Sequence, residues 1–285
     1  GWMAPNGDFS LNVAIRTLVL DQHGATYPVG GGIVYDSDPA QEWEECHWKS
    51  RVLLHKSPEL IETMLADATG NIERIQEHLN RLQASARQLN YSCPPRKALL
   101  ETIQASIQEA QRQHASHAAG STSDYRVRLL LSRSGQVSVQ VAPLARLSTT
   151  PFVTIAPMRL DSRQALLQHK TTYRPWYEST TAWLANHTEF FDLLFFNERD
   201  ELCEGSRSIV HLEKDGVWLT PPLRCGLLGG AVRQHLLTTG QVKEGLLTRQ
   251  DLEKPGARIR LSNGLRGWFD VQYRKASFLP GDFLP

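Results

Sequence analysis

The sequence predicts a mixed α/β protein of the α+β kind: a two-lobed body preceded by a short segment of different character. Three observations lead there. The chain has 285 residues, which suits two domains or one two-lobed unit. Strand-like runs such as 60–66 and 125–131 recur along it. Between them, apolar residues return at helical spacing, as in Ile72, Ile75, Leu79, Leu82, Ala86 and Leu89.

The elements follow in order. Residues 11–20 alternate and read as a strand, and 26–35 as a second, carrying Gly30-Gly31-Gly32. Asp36-Ser37-Asp38-Pro39 then caps a helix over 40–54, with Pro39 in its first turn. Two strands and a helix make too small a core to stand alone. With no initiator methionine, this segment reads as the tail of a larger domain. A new unit starts near Glu59 with the strand 60–66 and a turn at Asp67-Ala68-Thr69-Gly70. The helix after it takes Asn71 as its cap. Pro94-Pro95 opens a second helix with Leu99, Ile103, Ile107 and Ala110 on one face, and 114–123 reads as a loop. Residues 125–131 and 136–141 form a hairpin across Ser134-Gly135, and 144–156 cross to the other lobe. Beyond them lie a helix over 177–186, strands over 192–197 and 209–214, and a helix from Gly230.

Bulk composition excludes several classes. Lysine and arginine total 31 against 30 acidic residues, a net charge of +1. That lacks the basic excess of a nucleic-acid or membrane-surface binder. No apolar run approaches the roughly 20 residues that span a bilayer. The opening Gly1-Trp2-Met3-Ala4-Pro5 is not a secretory signal. Cys46, Cys93, Cys203 and Cys225 are widely spaced and form no CxxC, as expected of reduced thiols in a cytoplasmic protein.

The chemistry concentrates in His169-Lys170-Thr171-Thr172-Tyr173-Arg174, followed by Asn197-Glu198-Arg199 and Glu204-Gly205-Ser206-Arg207-Ser208. A lysine beside small hydroxyl residues and a carboxylate in a Gly/Ser turn suit pyridoxal phosphate. That cofactor needs an amine to condense with its aldehyde and an acid to keep its ring electron-poor. Together the motifs resemble the fold-type IV, or class IV aminotransferase-like, family over residues 56–285. Branched-chain and D-amino-acid aminotransferases and 4-amino-4-deoxychorismate lyase belong to it, and the wording at Lys170 is most similar to the lyase branch. The resemblance implies a two-lobed fold, a small lobe over 56–147 and a large lobe over 148–285, with the cofactor between them.

It also implies roles. Lys170 is the covalent partner and proton shuttle, and Glu204 holds the pyridine nitrogen protonated. In His78-Leu79-Asn80-Arg81-Leu82, similar to the family's His-x-x-Arg-Leu helix, Arg81 binds the phosphate, while Arg74 and Arg87 read as exposed. Cys225 to Arg233 is a glycine turn opening a helix, so the amides of Gly230, Ala231 and Val232 face the phosphate. Ser262-Asn263-Gly264-Leu265-Arg266-Gly267 is similar to the family's Asn-Ser-Leu-Arg-Gly, which brings Asn263 and Gly264 to the cofactor. The chain departs from the pattern at Gly264, where the family has serine, and at Gly229 and Asp270, where it has proline.

Residues 1–55 carry other words: Asn12-Val13-Ala14-Ile15-Arg16-Thr17, Val29-Gly30-Gly31-Gly32-Ile33-Val34, Asp36-Ser37-Asp38-Pro39 and Glu42-Trp43-Glu44-Glu45-Cys46. In this order they resemble the C-terminal end of chorismate-binding enzymes, which include anthranilate and aminodeoxychorismate synthase component I. By that resemblance Arg16 holds a chorismate carboxylate and the Gly30–Gly32 backbone, Gly31 and Gly32 foremost, lines the substrate. Glu42 and Glu45 bind Mg²⁺, and a glutamine amidotransferase subunit is the partner, both only in a complete synthase domain. Such a tail joined to a lyase implies conversion of 4-amino-4-deoxychorismate to p-aminobenzoate and pyruvate, a step toward folate. A homodimer is implied as well, with the aromatic cluster Tyr173, Trp176, Tyr177 and Trp183 of a composition enriched at interfaces, although these rings also suit the lobe's own core and Trp183 reads as a core residue. Two alternatives stand beside this expectation: an aminotransferase on the same scaffold, and a non-catalytic domain that has lost its cofactor.

Overall fold

The computed structural model describes residues 2–11, 13–22, 24–54, 57–117, 124–145, 147, 149–279 and 282–283. They fall into two compact units, Gly1–Ser57 and Pro58–Pro285. In the first, β1 (Trp2–Met3) pairs with β2 (Phe9–Ser10), and β3 (Val19–Asp21) with β4 (Gly24–Thr26). The helix α1 spans Pro39–Leu54. Asp38 caps it as the sequence predicts, its Oδ1 accepting the Ala40 and Gln41 amides at 2.9 Å each. The two long strands expected over 11–20 and 26–35 do not form; only the ends of those runs pair. Alternation makes a strand only where one face meets a core. Here Leu11, Val13, Leu18, Ile33 and Val34 are exposed. Asn12 lies outside the described residues.

The second unit begins with β5 (Leu60–Ala66), the helices α2 (Ile75–Gln88) and α3 (Arg96–His117), and the hairpin β6 (Tyr125–Leu131) and β7 (Val137–Pro143). β5, β6 and β7 make an antiparallel three-stranded sheet. The helices cover it, closing a core of Met64, Leu79, Leu82, Leu99, Ile107, Val127 and Leu129. Asn71 does not cap α2. The helix starts at Ile75, because Asp67 Oδ1 draws the Asn71 amide (2.9 Å) into the preceding turn. α3 runs on to His117 through the first part of the expected loop. Residues 118–123, the remainder of that loop, lie outside the described residues.

The large lobe contains β8 (Phe152–Leu160), α4 (Glu178–Asn186), β9 (Phe190–Asn197), β10 (Leu202–Gly205), β11 (Ile209–Lys214), β12 (Val217–Thr220), α5 (Ala231–Thr238), β13 (Lys243–Glu244), α6 (Arg249–Glu253), β14 (Ile259–Asn263) and β15 (Gly267–Tyr273). Its strands form one eight-stranded mixed sheet in the order β10-β9-β8-β15-β14-β11-β12-β13. The expected crossing over 144–156 is shorter than predicted, because β8 has already begun at Phe152 and runs between β9 and β15, parallel to both. Apolar clusters line the sheet, one around Phe195, Trp183 and Leu227 and another around Leu194, Val210 and Leu261. Trp183 belongs to the first cluster, as its core reading requires; Tyr177 is buried there too and so is not a surface aromatic, whereas Tyr173 is exposed.

β5 stitches the lobes together. The Ile61 amide donates to Lys170 O (2.8 Å), the Thr172 amide to Glu59 O (2.9 Å) and the Leu65 amide to Gly264 O (3.0 Å). Lys170 and Gly264 are thus fixed against β5 by main-chain bonds. No helix among the described residues is long and apolar enough to cross a membrane.

Candidate functional site

A cavity of about 630 Å³ opens where the lobes of the second unit meet. Lys170, Glu204, Arg81, Gly230, Ala231, Val232, Asn263 and Gly264 all border it. Each is placed by a different local device.

Lys170 follows a short helical turn over Ala165–Gln168 and is held by its own carbonyl against β5. Desolvation, helped by the guanidinium groups of Arg174 and Arg81, pulls its ammonium down to about 7, against the opposing carboxylates of Glu62 and Glu204. An amine with that pKa is available as a nucleophile and as a proton carrier near neutrality.

Glu204 is the penultimate residue of β10 and is 4% exposed. Burial raises its carboxyl to about 7, although Tyr177, Arg174, the Leu228 amide and Lys170 all work to stabilise the anion. Tyr177 Oη donates to Oε1 at 2.6 Å and the Leu228 amide to Oε2 at 3.1 Å. Each oxygen retains a lone pair for a further donor. The turn beyond it hangs on Asp192, which is fully buried. Asp192 Oδ1 accepts from the Ser206 amide (2.8 Å) and hydroxyl (2.6 Å). Its Oδ2 accepts from the Arg207 amide (3.1 Å) and the Ser208 hydroxyl (2.5 Å). Gly205 is obligatory there, since a Cβ would lie 2.7 Å from the Asp192 carboxyl carbon.

Arg81 is braced from beneath by Glu62, a carboxylate buried within β5. Arg81 Nε and Nη2 reach Glu62 at 2.9 and 2.5 Å, and Nη1 reaches Gly229 O at 3.3 Å. Three of its five N–H groups are committed and two remain. His78 Nδ1 is 2.7 Å from the same carboxylate. Burial opposes the charge on Glu62, yet Arg81 and His78 hold its pKa down to about 2. Arg74, expected on the surface, is instead mostly buried beside this network, its side chain 15% exposed. Arg87 is exposed.

The helix α5 points its N-terminus at the same cavity and has no side-chain cap. The sequence reading is corrected in one respect: the Gly230 amide is used internally, donating to Leu228 O at 2.9 Å. Among the described residues the amides of Ala231 and Val232 have no acceptor. Asn263 Oδ1 is likewise committed, accepting the Leu265 and Arg266 amides at 3.0 and 2.9 Å. Asn263 therefore shapes the turn through its side chain. Gly264 lies close against β5 and α2: a Cβ there would lie 2.7 Å from His78 Cε1 and closer still to Thr63 O. Gly229 is open to a side chain, with Leu223 4.0 Å away. Asp270 lies on β15, paired with Arg260 Nε at 2.8 Å, and does not border the cavity.

The donor set fits pyridoxal phosphate. A near-neutral amine, a buried acid with free lone pairs, two unpaired helix amides and a part-committed guanidinium share one cavity. Sequence reasoning missed Tyr177, Asp192 and Glu62. A lone carboxylate within an apolar strand, as in Leu60-Ile61-Glu62-Thr63-Met64 and Phe191-Asp192-Leu193, is the signal that could have found the last two.

In the first unit, Glu45 pairs with Lys49 at 2.5 Å and Glu42 Oε1 accepts from Ser37 Oγ at 2.9 Å. Lys49, and more weakly Arg16, keep the Glu45 carboxyl below its usual range. Gly31 lies beside Glu42, a Cβ there being 3.1 Å from Oε2, while Gly32 is open. Among the described residues no group of three or more histidine, cysteine or acidic side chains is arranged to hold a metal.

Residues 1–55 match the chorismate binding enzyme family profile. A Synechocystis anthranilate synthase component I-like protein is 46% identical over 54 residues, 19% of this chain and 11% of that protein. The chain thus spans about a tenth of such relatives. A Schizosaccharomyces pombe protein provisionally named aminodeoxychorismate lyase is 30% identical over 213 residues, covering 73% of this chain and 86% of that one. Among solved structures, a provisionally named amino-acid aminotransferase from Mesorhizobium loti has a TM-score of 0.66 at 32% identity, covering 76% of this chain and 100% of its own. A provisionally named 4-amino-4-deoxychorismate lyase from Legionella pneumophila shares the fold at a TM-score of 0.62 and 22% identity, covering 78% of this chain and 84% of its own. Residues 59–273 match the profile of amino-transferase class IV, and the chain belongs to that family.

Proposed function

We propose that this chain is a pyridoxal-phosphate-dependent lyase that converts 4-amino-4-deoxychorismate to p-aminobenzoate and pyruvate. The observation that carries the chemistry is the pairing of Lys170 and Glu204 in one cavity, with pKa values both drawn to about 7. The substrate assignment rests on the likeness to the fission-yeast protein and on the chorismate-binding segment that precedes the lyase. When bound, pyridoxal phosphate supplies an electron sink. Lys170 Nζ would hold the cofactor and would carry the proton at the amine-bearing carbon of the substrate. Glu204 holds a proton against the pyridine nitrogen, and Tyr177 and the Leu228 amide fix the orientation of that carboxyl. The amides of Ala231 and Val232 and the remaining N–H groups of Arg81 would hold the phosphate, and Gly264 leaves room for Thr63 and His78 beside it. A homodimer in the cytoplasm completes the reading. Mg²⁺ and a glutamine amidotransferase partner belong to complete synthases.

The test is product analysis on the purified chain with pyridoxal phosphate. p-Aminobenzoate and pyruvate should appear in equal amounts, and borohydride should tag Lys170 with the cofactor. A tag on another lysine with Lys170 unmodified refutes the site. Keto acid formed from an amino acid, without p-aminobenzoate, would favour the second reading, an aminotransferase. That reading is motivated by the likeness to the Mesorhizobium protein.

A further inference from the structure

His211 is a buried group that this chemistry leaves unused. It sits on β11, fully buried, and its Nε2 is 2.8 Å from Ser262 Oγ on the neighbouring β14. Ser262 pairs across the strands with Ile209, two residues from His211, so the contact runs along the diagonal of one sheet face. Ser262 is also buried, yet it borders the cavity of Lys170 and Glu204. Ile209 lies in the same wall and meets the start of α5: a Cβ on Gly230 would be 3.0 Å from Ile209 Cγ1. Ser262 Oγ therefore lies at the end of the cavity where the Ala231 and Val232 amides are unpaired.

The direction of the His211–Ser262 bond follows from the surroundings. Burial, then the guanidinium groups of Arg233 and Arg260, drive the imidazole down to about 3, so it is neutral at neutral pH. A neutral imidazole carries one N–H. Among the described residues His211 Nδ1 has no partner. A proton there would leave a buried donor unpaired within the positive field of the Arg233 and Arg260 guanidinium groups. A proton on Nε2 is paired with Ser262 Oγ and leaves Nδ1 as a lone pair in that field, which is the cheaper arrangement. Ser262 Oγ then accepts from His211, and its own hydrogen needs another acceptor. Among the described residues Ser262 Oγ has no second partner, and the cavity is the open direction.

We propose that His211 fixes Ser262 as a hydrogen-bond donor to the cofactor phosphate, supplying from position 262 the hydroxyl contact that Gly264 has no room to make. Ser262 is the contacting group and His211 a positioning residue that acts through it. The inference rests on the pyridoxal phosphate reading, and the experiment separates the two.

The full chain, freed of cofactor, is titrated with pyridoxal phosphate and with pyridoxal, which lacks the phosphate. Binding is followed by the absorbance of the bound cofactor, and the phosphate by its ³¹P resonance. Ser262→Ala and His211→Phe should each weaken pyridoxal phosphate binding by about tenfold to a hundredfold, the range for one hydrogen bond to a charged group. Both should shift the ³¹P resonance and leave pyridoxal affinity unchanged within about twofold. His211→Gln, whose amide N–H can replace Nε2, should restore most of the affinity. If His211→Phe fails to fold, Ser262→Ala decides alone. A Ser262→Ala protein that binds pyridoxal phosphate like the parent, or loses both ligands equally, overturns the proposal. A parent that binds no pyridoxal phosphate overturns the cofactor reading itself.

Discussion

Replacing Gly264 by the serine that the resemblance implies at this position should nevertheless damage the chain. The added Cβ would lie 2.7 Å from His78 Cε1 and closer still to Thr63 O. The first of these is about 1 Å inside the optimal carbon–carbon separation of roughly 3.5–4.0 Å. Neither neighbour can swing away. Thr63 O is main chain within β5, and His78 is held to the buried Glu62 at 2.7 Å. The strand must therefore retreat, which strains the Leu65–Gly264 main-chain bond of 3.0 Å. Overpacking costs about 1–3 kcal/mol and a weakened hydrogen bond about 1 kcal/mol. The sum, roughly 2–4 kcal/mol, corresponds to a fall in Tm of about 4–16 °C for a unit of this size. Calorimetry on the cofactor-free Gly264→Ser protein measures the first effect, and titration with pyridoxal phosphate should show weaker binding. A variant that melts within about 2 °C of the parent and binds the cofactor more tightly would refute the close approach of the lobes.

Four further outcomes are expected. Asp192→Ala leaves the donors of the Glu204 turn unpaired and should destabilise the protein by about 3–5 kcal/mol in urea unfolding; a loss below about 1 kcal/mol would contradict the role given to that carboxylate. Cofactor-free stability should respond to pH in two opposite windows. Glu204, raised from 4.5 to about 7, keeps a proton that the unfolded chain releases, so stability falls as pH rises through that window. Lys170, lowered from 10.5 to about 7, releases a proton that the unfolded chain keeps, so stability rises from 7 upward. The stability gained by the Lys170→Met/Glu204→Gln double variant should thus peak near pH 7, and a flat difference across both windows would count against the two shifts. The chain should not convert chorismate to aminodeoxychorismate with ammonia and Mg²⁺, since its first unit spans about a tenth of synthase relatives; detection of that product would overturn this. Light scattering at micromolar concentration should report a dimer, and a monomer that releases p-aminobenzoate would refute the need for one.

Much of the second unit was legible because its strands bury one face or both. β5, β6 and β11 fall where alternation and apolar runs place them. The same reasoning failed over 11–20, where apolar residues alternate without a core to receive them. The local failures were hydrogen-bonding choices. Asp67 took the Asn71 amide, Leu228 took the Gly230 amide, and Asn263 served its own turn. Nothing in residue type announces such choices. Motif order brought Lys170, Glu204 and Arg81 together, but the groups that tune them are distant in sequence. Tyr177 lies 27 positions from the Glu204 it touches, and Glu62 lies 19 from Arg81. Only folding reveals those pairs.

The stitching of β5 has a consequence for how the protein can be watched. The Ile61, Leu65 and Thr172 amides bond across the lobes, so they open to solvent only when the lobes part. Any ligand seated between the lobes favours the closed state in proportion to RT ln(1 + [L]/Kd), about 2.7 kcal/mol at a hundredfold excess over Kd. These three amides should therefore gain protection from hydrogen exchange together, while amides of the α2–α3 core change little. They form a built-in gauge of occupancy, readable without turnover and without any label in the cavity.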